Sequence, residues 1–457
     1  MIDQFGLLAR AVTLVAFTAC GCAAGYEKQA HTSLDSVKFY SGSSADGEPK
    51  HDVKLDGRLE GYIAYAMQRS PTLRASFERW RASVHRIATQ RQLPEPTVSY
   101  GLFVRSVETR VGPQRHRFSL RQMLPWPSKL TTAADSVASE ARAAEQIFRA
   151  HALYVRRQVA AVYWQLWLLE RKRVIQSKQQ ELLQALSAAV RSRVEIGKAS
   201  LAALSQVNLS VSRLADKLRS LDARKRMARA RLIDAIGAPG ELETPIRTSQ
   251  PGEGLPTENT AELKRLSMRH PSVTSYKHKA TADLNRARHA KTAGLPNFVL
   301  GLDYIETGAA AMPGVTDSGK DPVILSVGIS LPIWRSSYGG KAAAATARAA
   351  SWRASGRAAR NKAFADLTAT MAKLKDADRR INTYRKTLIP QAETVYGAVA
   401  GTFQTGASSL ASVLIAERDL LNLRLGLATA RAEHASAWAA LEQVVGRALK
   451  AKAKEQP

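Results

Sequence analysis

Residues Leu388–Gly446 read LIPQAETVYGAVAGTFQTGASSLASVLIAERDLLNLRLGLATARAEHASAWAALEQVVG. They include parts of two long helical stretches that meet at a glycine. The first stretch begins near Gly340 and ends at Phe403, and the second covers Ala407–Val445. Because glycine is the usual residue just past a helix C-terminus, Gly406 between them predicts a reversal of the chain. This part of the sequence therefore predicts an antiparallel helical hairpin.

The first half of the chain contains a second hairpin of the same kind. Ser128–Ile196 is free of both Gly and Pro, and its 69 residues would extend roughly 100 Å as one helix. Lys198–Ile236 is equally unbroken, and Gly197 is the reversal point between the two stretches. The fold class predicted is mainly α, with long antiparallel hairpins. Pro390 and Gly426 are expected to kink the helices of the second hairpin.

Five short motifs recur in the same order in the two halves, at offsets that rise from 200 to 209 residues. The pairs are Ser70-Pro71 with His270-Pro271, Leu93-Pro94 with Leu295-Pro296, Leu124-Pro125 with Leu331-Pro332, Gly197 with Gly406, and Gly237 with Gly446. The slow drift is typical of small loop insertions after a duplication, and the unit is far longer than a solenoid repeat. We expect a leader at 1–22, an extended segment at 23–58, repeats at 59–240 and 260–446, a linker at 241–259 and a tail at 447–457. Pro71 and Pro271 mark a bend or a helix start near the front of each repeat.

Each repeat also has two segments in which apolar residues alternate with small or polar ones, the pattern of strands with one apolar face. The apolar positions are Val98, Tyr100, Leu102 and Val104, then Phe118 and Leu120, then Phe298, Leu300, Leu302 and Tyr304, and finally Val323, Leu325, Val327, Ile329 and Leu331. Four strands are too few to close a barrel. Either three chains supply a twelve-stranded barrel, or the four strands pack as a small sheet on the helices of one chain.

The first 22 residues have the features of an export signal. A short apolar run, Ala11–Ala19, is too short to span a bilayer but suits the core of a signal peptide. Small residues precede both Cys20 and Cys22, an arrangement that resembles the lipobox of bacterial lipoproteins. We expect a lipid anchor that carries diacylglycerol and palmitate on one of the two cysteines; an ordinary signal peptide is the alternative. No later stretch reaches 18 consecutive apolar residues, so the sequence predicts no membrane-spanning helix.

The chain has 67 Lys and Arg against 39 Asp and Glu, a formal net charge of +28. Such a balance raises nucleic acid as a partner, but the basic clusters lack the interleaved aromatic residues that stack on bases, so no nucleic-acid partner is expected. The cation-rich segments, Lys341–Lys362 and Arg224–Arg231, either line a tunnel or form solvated faces that pair with acidic residues on neighbouring helices.

The sequence lacks the common signatures of enzymes and metal proteins. A glycine-rich phosphate loop, a nucleophile elbow and an HExxH motif are all absent from it. Both cysteines lie at the N-terminus, and no two histidines stand four residues apart. We therefore expect no catalytic residue, no cofactor and no metal site.

The order of these elements, together with Leu388–Gly446, resembles the C-terminal half of the TolC-like outer-membrane efflux factors. A weaker copy, IGKASLAALSQVNLSVSRL, at Ile196–Leu214 supports the resemblance, which covers nearly the whole chain from about Leu59 to Gly446. The lipoprotein branch that serves heavy-metal and multidrug pumps is the most similar.

The resemblance implies a homotrimer with a twelve-stranded transmembrane β-barrel in outer-membrane lipid and an α-barrel tunnel of coiled-coil helices through the periplasm. Its partners would be a periplasmic adaptor, or membrane fusion protein, and an inner-membrane transporter of the resistance-nodulation-division type. Function would then be passive transport through an efflux exit duct, with the lipid-anchored chain extending into the periplasm. The alternative is a periplasmic lipoprotein adaptor, which also has a leader, an anchor and a helical hairpin.

The resemblance also assigns roles around the two hairpin turns. Docking to the adaptor would involve Gly197, Ser200, Leu201, Gly406, Ser409 and Leu410. Well-known members carry an acidic residue six positions after the turn glycine, and some carry a second at nine. Here Ala203, Ser412 and Ile415 occupy these positions, and only Glu417 and Asp419 are acidic nearby. An apolar gate around Ile415 is expected in place of an acidic ring.

Overall fold

The computed structural model describes residues 22–37, 55–238, 243, 245–247 and 250–452. In the first half the elements are α1 (Cys22–Ser36), α2 (Leu59–Arg69), α3 (Pro71–Thr89), β1 (Thr97–Leu102), β2 (Glu108–Thr109), β3 (Gly112–Pro125), α4 (Pro127–Glu195) and α5 (Leu201–Ile236). In the second half they are α6 (Thr260–Met268), α7 (Pro271–Thr292), β4 (Asn297–Thr307), β5 (Val323–Ser330), α8 (Arg335–Thr383), a π-helical turn (Tyr384–Leu388), α9 (Ile389–Gln404) and α10 (Leu410–Val445).

The order of elements in the first half recurs in the second. After α1, each half has two short helices and continues through strands into long helices. Pro71 and Pro271 are each the first residue of the second short helix, where a proline is tolerated because the first amide of a helix has no partner within it. The predicted class, a mainly helical chain with a small β part and long hairpins, is confirmed.

The chain divides into two compact units, and each is described by itself. The sheet unit contains the described residues within Met1–Val37, Glu78–Gln146 and Thr274–Arg357. The hairpin unit contains the described residues within Lys38–Phe77, Ile147–Val273 and Ala358–Pro457.

The sheet is antiparallel in the order β1-β3-β4-β5. Leu120 of β3 is opposite Val98 of β1 and Leu302 of β4, and Leu302 is opposite Leu325 of β5. Side chains on neighbouring strands in register share one face, so these four form an apolar row. The exposed fractions of Val98 and Leu325 are 76% and 72%, which shows that the described residues of the chain do not cover the apolar face.

The sheet has one strand more than the alternation predicted. β2 is only two residues long and pairs with the start of β3, which begins at Gly112, six residues before the predicted Phe118. The sequence GPQRHR at 112–117 does not predict this part of β3, because polar residues lie on both faces of the strand and apolar residues do not alternate with them. At Gly112 the backbone φ is +130° and an added Cβ would lie 1.8 Å from the Gly308 carbonyl oxygen, so the turn requires glycine.

One buried carboxylate joins the helices of the sheet unit. Asp283 of α7 is 2% exposed. It accepts a hydrogen bond from Trp352 Nε1 at 2.9 Å and forms ion pairs with Arg348, at 3.3 Å, and with Arg286. Since buried charges are stable only when paired and hydrogen-bonded, this cluster couples α7 to α8.

The hairpin unit has a core formed by α6, α8 and α10. Leu263, Leu374 and Leu441, one from each helix, are fully buried, and Leu367 and Val445 extend the same cluster. Leu367 and Leu374 are seven residues apart, which is two helical turns, so they lie on the same face of α8. Burial of this stripe packs α8 against α6 and α10.

The two predicted kinks in the second hairpin have different outcomes. Before Pro390, regular α-helical bonding is interrupted by the π-helical turn, which ends at Leu388, as expected near a residue that cannot donate its amide. At Gly426 the helix is not interrupted, because α10 is continuous through this residue. An added Cβ there would lie 2.9 Å from the Tyr384 ring, so Gly426 makes room for an aromatic side chain from the π-helical turn.

Candidate functional site at the hairpin turns

The first hairpin turn has the geometry of a helix C-cap closed by glycine. Gly197 has a φ of +74°, in the left-handed region that glycine adopts without strain. Its amide donates to the Val194 carbonyl at 3.0 Å, and the Lys198 amide donates to the Arg193 carbonyl at 2.7 Å. These two bonds define a Schellman motif, which satisfies the last carbonyls of α4.

The second turn repeats this geometry. Gly406 has a φ of +85°, its amide donates to the Phe403 carbonyl at 3.1 Å, and the Ala407 amide donates to the Thr402 carbonyl at 2.9 Å. No atom lies within 4 Å of a Cβ built on either glycine. Both glycines are therefore explained by backbone conformation, and the space beside each remains open.

Serines begin the helices that follow the two turns. Ser200 Oγ accepts a hydrogen bond from the Ala203 amide at 3.1 Å, and Ser409 Oγ accepts one from the Ser412 amide at 3.1 Å. A serine in this position satisfies an amide that has no partner within the helix and stabilises the protein by about 1 kcal/mol. Four residues of the predicted site thus have a capping role that explains their presence.

The apolar residues beside the turns are only partly packed. Leu201 is 69% exposed, Ile415 is 52% exposed and Leu410 is half-buried. Ile415 therefore does not form an apolar gate within one chain. A gate at this position would need contacts from another chain.

Arg193 connects the two turns and was missed from the sequence. Its guanidinium donates to the carbonyls of Phe403 at 3.2 Å and Gln404 at 3.0 Å. It also lies 4.6 Å from the centre of the Phe403 ring, a cation–π distance. The only signal in the sequence is a cation in the last turn of α4, a position that the helix dipole also favours. The neighbouring residues do not predict which carbonyl groups Arg193 binds.

The two acidic residues of the predicted gate region lie in different surroundings. Asp419 is exposed, and no ion pair to it occurs within the part of the chain that the structure describes. Glu417, on the other side of α10, is only 7% exposed, and its Oε1 has no hydrogen-bond partner among the described residues. Loss of hydration on burial raises the pKa of the Glu417 carboxyl from 4.5 to about 7.

Glu417 borders a cavity of about 210 Å³ between α4, α9 and α10. The side chains that line it are mainly apolar, with Tyr396 and Phe403 from α9 and Val413 from α10. A cavity that holds a titratable group with a shifted pKa is a candidate binding site. The sequence IAERDL around Glu417 has charged neighbours and reads as a solvated helix face, so it does not reveal this burial.

The second half of the chain matches a known protein family. Residues 263–447 match the family model described as "Outer membrane efflux protein". A comparison with curated protein sequences found no significant match. Several solved structures, by contrast, match along most of the chain.

An outer membrane protein of Vibrio cholerae, VceC, superposes with a TM-score of 0.69 at 19% identity, over 85% of this chain and 96% of that one. A membrane protein of Pseudomonas aeruginosa gives 0.70 at 16% identity, over 89% and 98%. The MtrE outer membrane channel of Neisseria gonorrhoeae, in its open state, gives 0.68 at 17% identity, over 86% and 90%. At these identities the likeness shows that the fold is shared. Residues 263–447 therefore match the sequence pattern of the outer membrane efflux proteins, and most of the chain shares the fold of these solved structures.

The predicted lipidation residues lie at or beyond the edge of the described structure. Cys20 is outside the described residues, and Cys22 is the first residue of α1. Lipidation therefore stays a prediction.

Within the described residues, no cluster of three or more His, Cys, Asp or Glu side chains is arranged to hold a metal ion. In the same residues, no helix combines the length and the apolar composition needed to cross a membrane.

Two cations in each of the two basic clusters form ion pairs with acidic residues. Lys225 and Arg229 of α5 pair with Glu170 of α4 at 2.9 and 3.5 Å. In the other cluster, Arg348 pairs with Asp283 and Lys362 with Asp366, both at 3.3 Å. These pairs fit the interpretation of the clusters as helix faces that meet acidic neighbours.

Proposed function

We propose that the chain forms the outer-membrane exit duct of a tripartite efflux assembly and conducts solutes passively. The observation that carries the proposal is a sheet with two different faces and two free edges. One face has the apolar row of Val98, Leu120, Leu302 and Leu325, and the register places Ser99, Ser119 and Asp303 together on the other. Apolar side chains on one face and polar ones on the other are the pattern of a barrel with lipid outside and water inside.

The edges of the sheet support association of three chains. Within the described residues, β1 pairs only with β3 and β5 only with β4. Unpaired strand edges in an apolar medium cost several kcal/mol per backbone group and must be closed. Pairing β5 of one chain with β1 of the next closes a ring in a cyclic trimer. Three chains with four full-length strands each make about twelve strands.

Native mass determination after membrane fractionation and extraction in mild detergent tests this proposal. We expect a species in the outer-membrane fraction with three times the protomer mass. A monomeric protein, or one that fractionates with the inner membrane, would refute the duct. The same measurement tests the anchor, since a lipidated mature chain would carry the mass of diacylglycerol and an acyl chain on Cys20 or Cys22.

We further propose that the hairpin turns dock a periplasmic adaptor, which links the duct to an inner-membrane transporter of the resistance-nodulation-division type. The exposed Leu201 supports a docking role, since an isolated apolar side chain at an ordered turn is available for contact with a partner helix. Leu410 offers a smaller surface at the equivalent place, and Ile415 would complete an apolar closure where three chains meet.

Leu201→Asp tests the docking role, with Leu209→Asp as the control. Leu209 lies on the same helix, farther from the turn, and is 50% exposed. We expect Leu201→Asp to abolish copurification with the adaptor and to leave the trimer mass unchanged, whereas Leu209→Asp retains the adaptor. Equal adaptor binding by the two variants would contradict docking at the turn.

A further inference from the structure

The cavity beside Glu417 has the composition of a ligand site. Its three helices contribute different chemistry: α4 supplies Leu182 and Leu186, α9 supplies Tyr396 and Phe403, and α10 supplies Val413 and Glu417. Small-molecule sites are generally apolar pockets with a few convergent polar groups. The most deeply buried polar group in this lining is the Glu417 carboxyl, which is 93% buried, since the exposed fraction of Glu417 is 7%.

Glu417 is not explained by the packing of the chain. Within the described residues its Oε1 has no hydrogen-bond donor, although buried polar groups in folded proteins are nearly always satisfied. Leaving such an oxygen without a donor destabilises the fold. A ligand that brings a donor into the cavity would remove that penalty.

The surroundings of Glu417 indicate which class of donor fits. A metal ion needs several oxygen, nitrogen or sulfur ligands, and no metal-binding cluster occurs among the described side chains. An ammonium group needs only a carboxylate on one side and tolerates apolar or aromatic walls around its carbon body. Charge-assisted hydrogen bonds of this kind are about twice as strong as neutral ones.

Two other ionisable groups face the cavity, and neither blocks a cation. Arg193 of α4 already donates to two carbonyls of α9 and lies over the Phe403 ring. Tyr396 of α9 stays neutral near physiological pH, because burial and the nearby Glu417 raise its pKa. Glu417 is therefore the acidic group available to a bound cation.

We propose that this cavity binds a small organic ammonium cation whose apolar body lies against Tyr396 and Phe403 and whose nitrogen donates to Glu417 Oε1. The volume of about 210 Å³ is below the roughly 300–1,000 Å³ typical of drug-sized ligands, so the ligand is a small amine. All of the lining residues belong to one chain, and the site therefore does not depend on the proposed duct.

Calorimetric titration of the purified full-length protein with 2-phenylethylammonium tests the site. At about pH 8 we expect Glu417→Gln to weaken binding at least tenfold, since the amide cannot offset the ligand's charge. Glu393→Gln is the matched control, because Glu393 lies on α9, is exposed and pairs with Arg424 at 2.7 Å. The uncharged analogue 2-phenylethanol should bind wild type and Glu417→Gln equally.

The pH dependence of the wild-type affinity is a second measurement that needs no variant. The ligand requires an ionised carboxylate, and burial raises the pKa of Glu417 to about 7. The affinity should therefore fall about thirtyfold between about pH 8 and about pH 5.5, where the amine remains protonated throughout. No binding of the amine at millimolar concentration, an affinity independent of pH, or equal affinities in wild type and Glu417→Gln would each overturn the proposal.

Discussion

Burial of Glu417 should make the stability of the hairpin unit depend on pH, and Glu417→Gln removes that dependence. The pKa of the carboxyl is about 7 in the folded chain against 4.5 when it is fully hydrated. At 1.36 kcal/mol for each pKa unit, this difference corresponds to about 3 kcal/mol. One side of the cavity is open to solvent, which screens part of the effect, so we expect about 2 kcal/mol.

The sign follows from which state holds the proton. Between about pH 4.5 and about pH 7 the folded chain keeps the Glu417 proton and the unfolded chain releases it. The free energy of unfolding of the wild type therefore falls as pH rises through this window, and it has no further contribution from Glu417 above it. The variant cannot titrate at this position. Its stability relative to wild type should thus increase by about 2 kcal/mol from about pH 4.5 to about pH 8.

Urea unfolding followed by circular dichroism at a series of pH values measures this difference. Only the change with pH is interpreted, because the substitution also replaces a carboxyl with an amide in the cavity at every pH. Glu393→Gln, at an exposed position on α9, is the control for replacing a carboxyl with an amide on the surface. A stability difference between Glu417→Gln and wild type that does not vary with pH would refute a protonated, buried Glu417.

Three further predictions concern the fold. Leu374→Ala removes a fully buried side chain from the core of the hairpin unit and should cost about 2–5 kcal/mol in urea unfolding, whereas the exposed neighbour Lys373→Ala should cost less than about 0.5 kcal/mol. Asp283→Asn leaves two partly exposed arginines without their buried partner and should cost about 1–3 kcal/mol, measured in the same way. Gly112→Ala places a methyl group against the Gly308 carbonyl oxygen and should reduce the yield of folded protein; a normal yield would contradict the turn geometry.

Much of the helical architecture could be predicted because it depends on local chemistry. A run of 69 residues without Gly or Pro became α4 since nothing in it interrupts backbone hydrogen bonding. The glycines at the turns were identified correctly because few other residues adopt a positive φ. Alternation located the apolar face of the sheet, because successive side chains of a strand point to opposite sides.

The sequence was less informative where contacts come from distant parts of the chain. A glycine within a helix favours a kink, yet Gly426 makes room for the Tyr384 ring, which comes from another helix. Arg193 finds its carbonyl partners about 210 residues away, and β2 exists only through its pairing with β3. None of these contacts has a signal in the neighbouring residues.

The sequence by itself determined where helices begin and end, where the chain reverses and which strand face is apolar, because glycine, proline and side-chain periodicity act within a few residues. Only the tertiary structure decided that Glu417 is buried beside a cavity and that Asp419, two residues later, is exposed. The two residues have similar charges and similar neighbours in the sequence. Their environments differ because α4 and α9 pack against one side of α10 and exclude water from it.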